Sequence, residues 1–242
     1  MEIPPSIWIR TLCRKNGREL TDEQVLLLEK YVSLLLEWNT KINLISRKDA
    51  DNVWEGHIAH SIAPLFKIDI PRGTMLLDLG SGGGLPGIPW SIVLPSISVT
   101  MVDATQKKVN AVRSMLKELR LSNTSVAWGR AEEIGRLPQF HGKFDYVVAR
   151  AVGPLHELAR LALPFLRHQP GDVNVGDGKR APGAPALLAF KGGEIEEEVN
   201  RTKRLREVRS VEIISLDFDG SDQAILTDKK LAIVNFEEKE TR

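Results

Sequence analysis

Residues 75 to 90 read MLLDLGSGGGLPGIPW. An aspartate, Asp78, stands inside an aliphatic run that leads into four glycines among five residues and then Pro86 and Pro89. An apolar run ending in glycines reads as a buried strand that turns sharply and leaves its backbone bare for a bound group. The prolines do not forbid a helix directly after the turn, because the N–H that proline lacks has no partner in a first helical turn. The stretch therefore predicts strand, glycine turn and helix start, the device by which open parallel sheets hold nucleotide-like ligands outside the carboxyl ends of their strands.

The flanking pattern agrees. Met75 to Leu79, Val99 to Asp103, Thr124 to Trp128, Phe144 to Ala149 and Ala186 to Phe190 are rich in Val, Leu and Ile and read as strands. Helical patterns lie between them at Leu85 to Leu94, Lys107 to Leu119 and Pro154 to Leu166. This alternation predicts an α/β fold: a mostly parallel sheet with helices on both faces and right-handed crossovers. Val211 to Phe218 and Lys230 to Glu237 have no helix between them and read as a hairpin that adds an antiparallel strand at the sheet edge. Upstream, Leu20 to Trp38 predicts an amphipathic helix with Val25, Leu28, Val32, Leu35 and Leu36 on its core stripe, and Asp51 to Phe66 a second helix. The expected division is a helical N-terminal subdomain over 1–72 and a main domain over 73–242. The Gly- and Pro-dense stretch 168–185, chiefly Gln169 to Pro185, reads as a mobile surface insertion with no role in the core.

Composition narrows the function classes. Cys13 is the only cysteine, so there is no disulfide framework, thiolate metal cluster or CxxC pair, and no metal is expected. No apolar run reaches transmembrane length and the N-terminus lacks a signal-peptide core, so a cytoplasmic protein with no membrane partner is expected. Nothing argues for a dimer; a monomer is expected. A net charge of +1 does not announce a nucleic-acid partner. Arg10, Arg14, Lys15 and Arg18 cluster early, and Arg201, Lys203, Arg204, Arg206 and Arg209 late, after an acidic run from Glu194 to Glu198. Such runs are more often solvated helix faces than RNA footprints.

Two cofactor classes suit the glycine turn. Gly82-Gly83-Gly84-Leu85-Pro86-Gly87 matches G-x-G-x-x-G, and Asp103 follows about 20 residues on, as a dinucleotide ribose ligand should. A plain strand-to-helix turn, with Asp103 capping the next helix, is the competing structural reading. The larger frame, LLDLGSGGGLPG followed by VTMVDATQKK, resembles the first two strand ends of class I S-adenosylmethionine-dependent methyltransferases, a Rossmann-like fold. The resemblance places an acid at the end of the second strand and the adenine beside Trp128-Gly129-Arg130-Ala131-Glu132. The Tyr-x-x-x-Lys pair of many nicotinamide enzymes is missing, since Arg150 stands four positions after Tyr146.

LLLEWNTKINLIS at 34–46, HIAHS at 57–61, LDLGSGGGLPGIP at 77–89 and FDYVVARAV at 144–152 together resemble the RsmG (GidB) family, over nearly the whole chain and in the family's order. The resemblance implies methylation of guanine N7 in 16S ribosomal RNA, with S-adenosylmethionine as cofactor and the RNA or the small ribosomal subunit as partner. Carried over by position, Gly80, Leu85, Ala131, Glu132 and Arg150 match cofactor positions; Gly82 and Gly84 join them from the turn itself and Asp103 from the end of the second strand. Asn39, Lys41 and Asn43 fall on the substrate side, with Lys191 following the fifth strand at the same mouth. The competing structural readings are that Asn39 caps the first helix, Lys191 is a solvated loop lysine and Arg150 pairs with an acid. The family's R-H-x-x-D-S appears here as Gly56-His57-Ile58-Ala59-His60-Ser61.

Guanine N7 carries a lone pair and no proton, so no general base is needed. Asn39 and Arg150 are candidates for positioning rather than for covalent or acid–base catalysis. A pyrimidine C5 methyltransferase needs a nucleophilic cysteine, and Cys13 is far in sequence from every strand end. Exocyclic-amine methyltransferases carry Asn/Asp-Pro-Pro-aromatic after the fourth strand, where this chain reads Ala149-Arg150-Ala151-Val152. RNA phosphates are expected to meet Arg10, Arg14, Lys41, Arg47, Lys48, Lys191 and the cluster Arg201 to Arg209, and Trp38 or Trp54 offers a stacking surface for an extruded base. The alternatives are an NAD(P)-dependent oxidoreductase and a non-catalytic RNA-binding ribosome-assembly factor.

Overall fold

The computed structural model describes residues 4–46, 49–150, 153–167, 181–220 and 228–237. Its centre is one seven-stranded sheet of β1 (Met75–Leu79), β2 (Ser98–Asp103), β3 (Thr124–Trp128), β4 (Tyr146–Arg150), β5 (Ala186–Gly192), β6 (Val208–Ser215) and β7 (Lys229–Phe236). The spatial order is β3-β2-β1-β4-β5-β7-β6. The first five strands are parallel, and the order reverses between β1 and β4, which places the crevice at the end of β1. The hairpin is present, but its second strand, β7, pairs antiparallel with β5 and leaves β6 at the edge. β7 supplies Leu231 to Val234, a continuous buried run suited to an interior strand, whereas in β6 only Val208 is buried and the other positions are exposed or half-buried.

Each sheet face has its own apolar layer. Leu76, Val99, Met101, Val148 and Leu188 face α1 (Pro5–Lys15), α2 (Asp22–Asn39), α5 (Gly87–Val93), α6 (Gln106–Leu119) and the segment 53–67. Leu77, Leu79, Val147, Ala149 and Leu187 face α8 (Leu155–Ala162) and α9 (Glu196–Lys203), with Ile134 of the short α7 (Ala131–Ile134) beside them. Residues 1–72 contribute α1 and α2 to the same continuous core as the sheet.

α2 begins where the sequence says it should. Thr21 and Gln24 form a reciprocal capping box, and Asp22 and Glu23 place negative charge in the first turn. Gln24 also donates to the carbonyls of Ile92 and Val93, satisfying the end of α5. α1 was not anticipated, although Ile9, Leu12 and Cys13 are buried at helical spacing. The expected second helix is instead a π-helical stretch, Val53–Ala59, followed by α3 (His60–Ile62) and α4 (Pro64–Lys67). Residues 168–180 lie outside the described part. The rest of the expected insertion is anchored: Tyr146 donates its hydroxyl to the Pro182 carbonyl at 2.6 Å, and Asn235 donates to that of Gly183. Among the described residues no helix is long and apolar enough to cross a membrane.

Candidate functional site

The strand ends converge on the glycine turn. Gly80 and Ser81 donate backbone N–H groups to the Val102 carbonyl at 2.8 and 3.1 Å, which ties the turn to the end of β2. Asp103 then grips it from the side: one carboxylate oxygen accepts the Gly82 N–H at 2.9 Å and the other the Thr105 N–H at 2.7 Å. Each oxygen keeps a lone pair for a further donor.

The glycines have different reasons for being glycine. Gly82 has φ +56°, and a Cβ there would meet nothing nearer than the Leu44 carbonyl at 4.0 Å, so its exposed flank is an open cradle beside Asp103. Gly87 serves packing: a Cβ would lie 2.6 Å from Asp78 Oδ2, which accepts the Gly87 N–H at 2.9 Å and so puts a carboxylate at the first turn of α5.

Asp78 is fully buried, and its Oδ1 has no hydrogen-bond partner; nor has the buried Ser81 hydroxyl. Burial pushes the Asp78 carboxyl up to about 7, against the Gly87 hydrogen bond, while the Asp103 charge raises it further and Arg150 lowers it.

Trp128 ends β3 opposite Asp103 with more than half its surface exposed, its indole N–H donating to the Ala104 carbonyl at 3.0 Å. Ala131 and Glu132 open α7 immediately beyond. Gly80, Gly82, Gly84, Leu85, Asp103, Ala131 and Glu132 thus gather at the ends of three adjacent strands.

Arg150 ends β4, next to β1, but its guanidinium turns to the π-helical stretch. Nη1 donates to the His57 carbonyl and Ser61 Oγ at 3.1 and 2.9 Å, and Nη2 to the Gly56 carbonyl and His57 Nδ1 at 2.8 and 2.9 Å. Its hydrogen-bond partners are two carbonyls, a hydroxyl and a neutral imidazole, and among the described residues no acid forms an ion pair with it, against the competing structural reading. Burial, then Arg150, holds His57 down to about 4, which leaves Nδ1 free to accept. Burial pushes Arg150 down to about 10, so it keeps its charge at neutral pH.

The substrate-side residues divide. Asn39 does more than cap α2: its side-chain oxygen accepts the N–H groups of Leu44 and Ile45 at 2.8 and 3.0 Å, folding the following loop so that Leu44 lies against the glycine turn. Lys41 is exposed, paired with Glu37 at 2.7 Å and 5.0 Å above the Trp38 ring. Asn43 is exposed on the same loop. Lys191 is not free: its side chain is 11% exposed and its ammonium pairs with Glu198 at 2.6 Å and donates to the Gly153 carbonyl, while Glu198 accepts the Leu155 N–H at the start of α8.

Arg10 pairs with Asp22, Arg201 pairs with Glu197, and Arg18 bonds the Leu65 carbonyl and Asp69. Arg14, Lys203, Arg204, Arg206 and Arg209 are exposed. Arg47 and Lys48 lie outside the described residues, and Trp38 and Trp54 pack partly buried against the core. Cys13 is buried, its thiol pushed up to about 12 by desolvation, which makes it no nucleophile.

The sequence reading missed Tyr31, Ser61 and Trp90. Trp90 donates its indole N–H to the Ser61 carbonyl at 2.6 Å, and Tyr31 donates its hydroxyl to the Gly83 carbonyl at 3.0 Å. The available signal was that Tyr31 sits on the buried stripe of α2, where a hydroxyl must find an acceptor.

Asp103→Asn tests the carboxylate's grip. An amide can accept only one of the two backbone N–H groups and turns its NH2 towards the other. Affinity for S-adenosylmethionine is expected to fall about 10- to 100-fold, read by titration calorimetry.

Comparison with known proteins places the chain. The family described as "rRNA small subunit methyltransferase G" matches residues 24–226. Ribosomal RNA small subunit methyltransferase G of Chlorobaculum tepidum is 35% identical over 230 residues, covering 93% of this chain and 95% of that protein. The protein of the same name from Streptococcus agalactiae is 36% identical over 216 residues, covering 87% and 85%. Among solved structures, M. jannaschii TYW2 in complex with AdoMet aligns with a TM-score of 0.55 at 11% identity, covering 83% of this chain and 80% of that one, a likeness of fold alone.

Proposed function

Because the chain belongs to the rRNA small subunit methyltransferase G family, we propose that it transfers a methyl group from S-adenosylmethionine to N7 of a guanine in 16S ribosomal RNA, as free RNA or within the small subunit. It is an S-adenosylmethionine-dependent rRNA methyltransferase with the class I fold. The family match overturns the oxidoreductase reading that the G-x-G-x-x-G spacing left open. Action as a monomer in the cytoplasm is part of the proposal.

The residues at the turn suit the cofactor. A nucleoside with a ribose diol and an amino-acid tail wants a carboxylate for the hydroxyls, bare backbone beside it and buried polar atoms for the tail. Asp103, the open flank of Gly82, and the unpartnered Asp78 Oδ1 and Ser81 Oγ are of that kind. Ala131 and Glu132 would border the base, with Gly80, Gly84 and Leu85 forming the floor. When bound, the cofactor supplies an electrophilic methyl group on a sulfonium.

The chain's part is orientation. N7 attacks with its own lone pair, so no residue need remove a proton, and the absence of a reactive cysteine beside the turn costs nothing. Holding nucleophile and methyl in line is worth up to about 7–11 kcal/mol. Asn39 and Arg150 act by position: one folds the 40–46 loop onto the glycine turn, the other fixes the 56–61 segment next to it. Asn43 and Lys41 would meet RNA on the exposed side of that loop, while the pairing of Lys191 favours an indirect role, through α8. The single observation that carries the reading is the Asp103 carboxylate bound to the Gly82 N–H beside an open backbone flank.

Calorimetry tests it: S-adenosylmethionine is expected to bind and NADH not to. Gly82→Val is expected to weaken binding about 100-fold, because the branched side chain enters the cradle at a positive φ. Its circular dichroism should stay close to the parent's. Unchanged affinity in this variant would place the cofactor elsewhere.

A further inference from the structure

α2 belongs by sequence to the N-terminal helical layer, yet it reaches the glycine turn directly. The Tyr31 hydroxyl, fully buried, donates to the Gly83 carbonyl at 3.0 Å. One turn further along the helix, Leu35 approaches so closely that a Cβ at Gly83 would lie 2.8 Å from its Cδ1, and Leu44 closes the other side at 3.3 Å. The carbonyl thus held belongs to the residue directly after Gly82, whose N–H is held by Asp103. The turn is fixed from two directions: Asp103 from the strand side and Tyr31 from the helical layer.

We propose that Tyr31 is a positioning residue for cofactor binding, the strut through which α2 holds the glycine turn in its binding shape. The inference rests on the turn being the S-adenosylmethionine site. Without the hydroxyl the Gly83 carbonyl is buried without its partner and the turn is free to shift. Binding must then order it, and that cost appears in affinity.

The molecule contains its own control. Tyr146 is another buried tyrosine whose hydroxyl donates to a backbone carbonyl, that of Pro182 at 2.6 Å, but it begins β4 at the opposite end of the strands from the turn. Tyr31→Phe and Tyr146→Phe each remove one buried hydroxyl from one carbonyl. A purely structural role makes them equivalent; a strut makes them differ.

The experiment measures S-adenosylmethionine affinity by calorimetry for both variants and the parent, well below their melting temperatures, with steady-state kinetics on small ribosomal subunits. For Tyr31→Phe the dissociation constant and the KM for the cofactor are expected to rise about 3- to 10-fold. Its KM for the RNA substrate and kcat at saturating cofactor should hold to about twofold, and Tyr146→Phe should bind as the parent does. Parental affinity in Tyr31→Phe, or an equal loss in Tyr146→Phe, overturns the strut while leaving the cofactor assignment standing. Failure of the parent itself to bind S-adenosylmethionine overturns the functional reading and this inference together.

Discussion

Asp78→Asn is expected to make the cofactor-free protein more stable than the parent above pH 7, by on the order of 4 kcal/mol, and no more stable near pH 4. The folded carboxyl titrates near 7, above the ordinary value of 3.8 that it regains on unfolding. Between those values the native state keeps a proton that the unfolded chain has released. Stability contributed by this group therefore falls as pH rises from about 4 to about 7 and stays low above it. The amide cannot ionise, keeps an oxygen for the Gly87 N–H and so removes the slope. His57, held down to about 4, acts in the opposite sense, losing stability as pH falls from about 6.5, but it does so in both proteins and cancels from the difference. Denaturant midpoints at pH 4.5 and 7.5 measure the effect; equal differences at both pH values would contradict it. A buried carboxylate that lowers stability at neutral pH is the kind of cost found where a ligand is bound.

Arg150→Met is expected to cost about 3–5 kcal/mol and most of the methyl-transfer activity. Methionine keeps the unbranched apolar stem but ends where the guanidinium begins, so the loss combines the hydrogen bonds with the space the guanidinium fills. The carbonyls of Gly56 and His57, the Ser61 hydroxyl and His57 Nδ1 lose a charged donor in a buried place. Arg150→Lys keeps the charge but lacks the planar fork that serves two successive carbonyls, and is expected to recover less than half of the stability. Urea unfolding of the three proteins decides it; a Met variant within about 1 kcal/mol of the parent would show that the 56–61 segment holds its shape unaided.

The parallel sheet was legible because buried strands here are short aliphatic runs punctuated by glycine, and so was the sharp turn after β1, whose glycines mark backbone that bends at positive φ. The π-helical stretch was not. Its residues look helical, and the group that satisfies the Gly56 and His57 carbonyls, Arg150, stands 93 to 94 positions away in sequence, where no local pattern points to it. The basic cluster at 10–18 was read as charge when part of it is architecture, since Arg10 and Arg18 tie α1 and its exit to Asp22, Leu65 and Asp69. The solvated-loop reading of Lys191 fails for the same reason: a lysine at a strand end looks free until its partner, Glu198, arrives from a helix the strand pattern did not include. Position in the fold was readable; the pairing of long polar side chains was not.

In the proposed reaction a positioned cofactor methyl meets an unprotonated ring nitrogen of ribosomal RNA. The most direct measurement incubates the protein with methyl-labelled S-adenosylmethionine and small ribosomal subunits lacking the modification, then digests the RNA and identifies the labelled nucleoside by mass spectrometry. The expected result is label in 7-methylguanosine, at one site, without dependence on an added base over pH 6.5 to 8.5. Label on an exocyclic amine or a pyrimidine carbon, or on protein and never on ribosomal RNA, would contradict it.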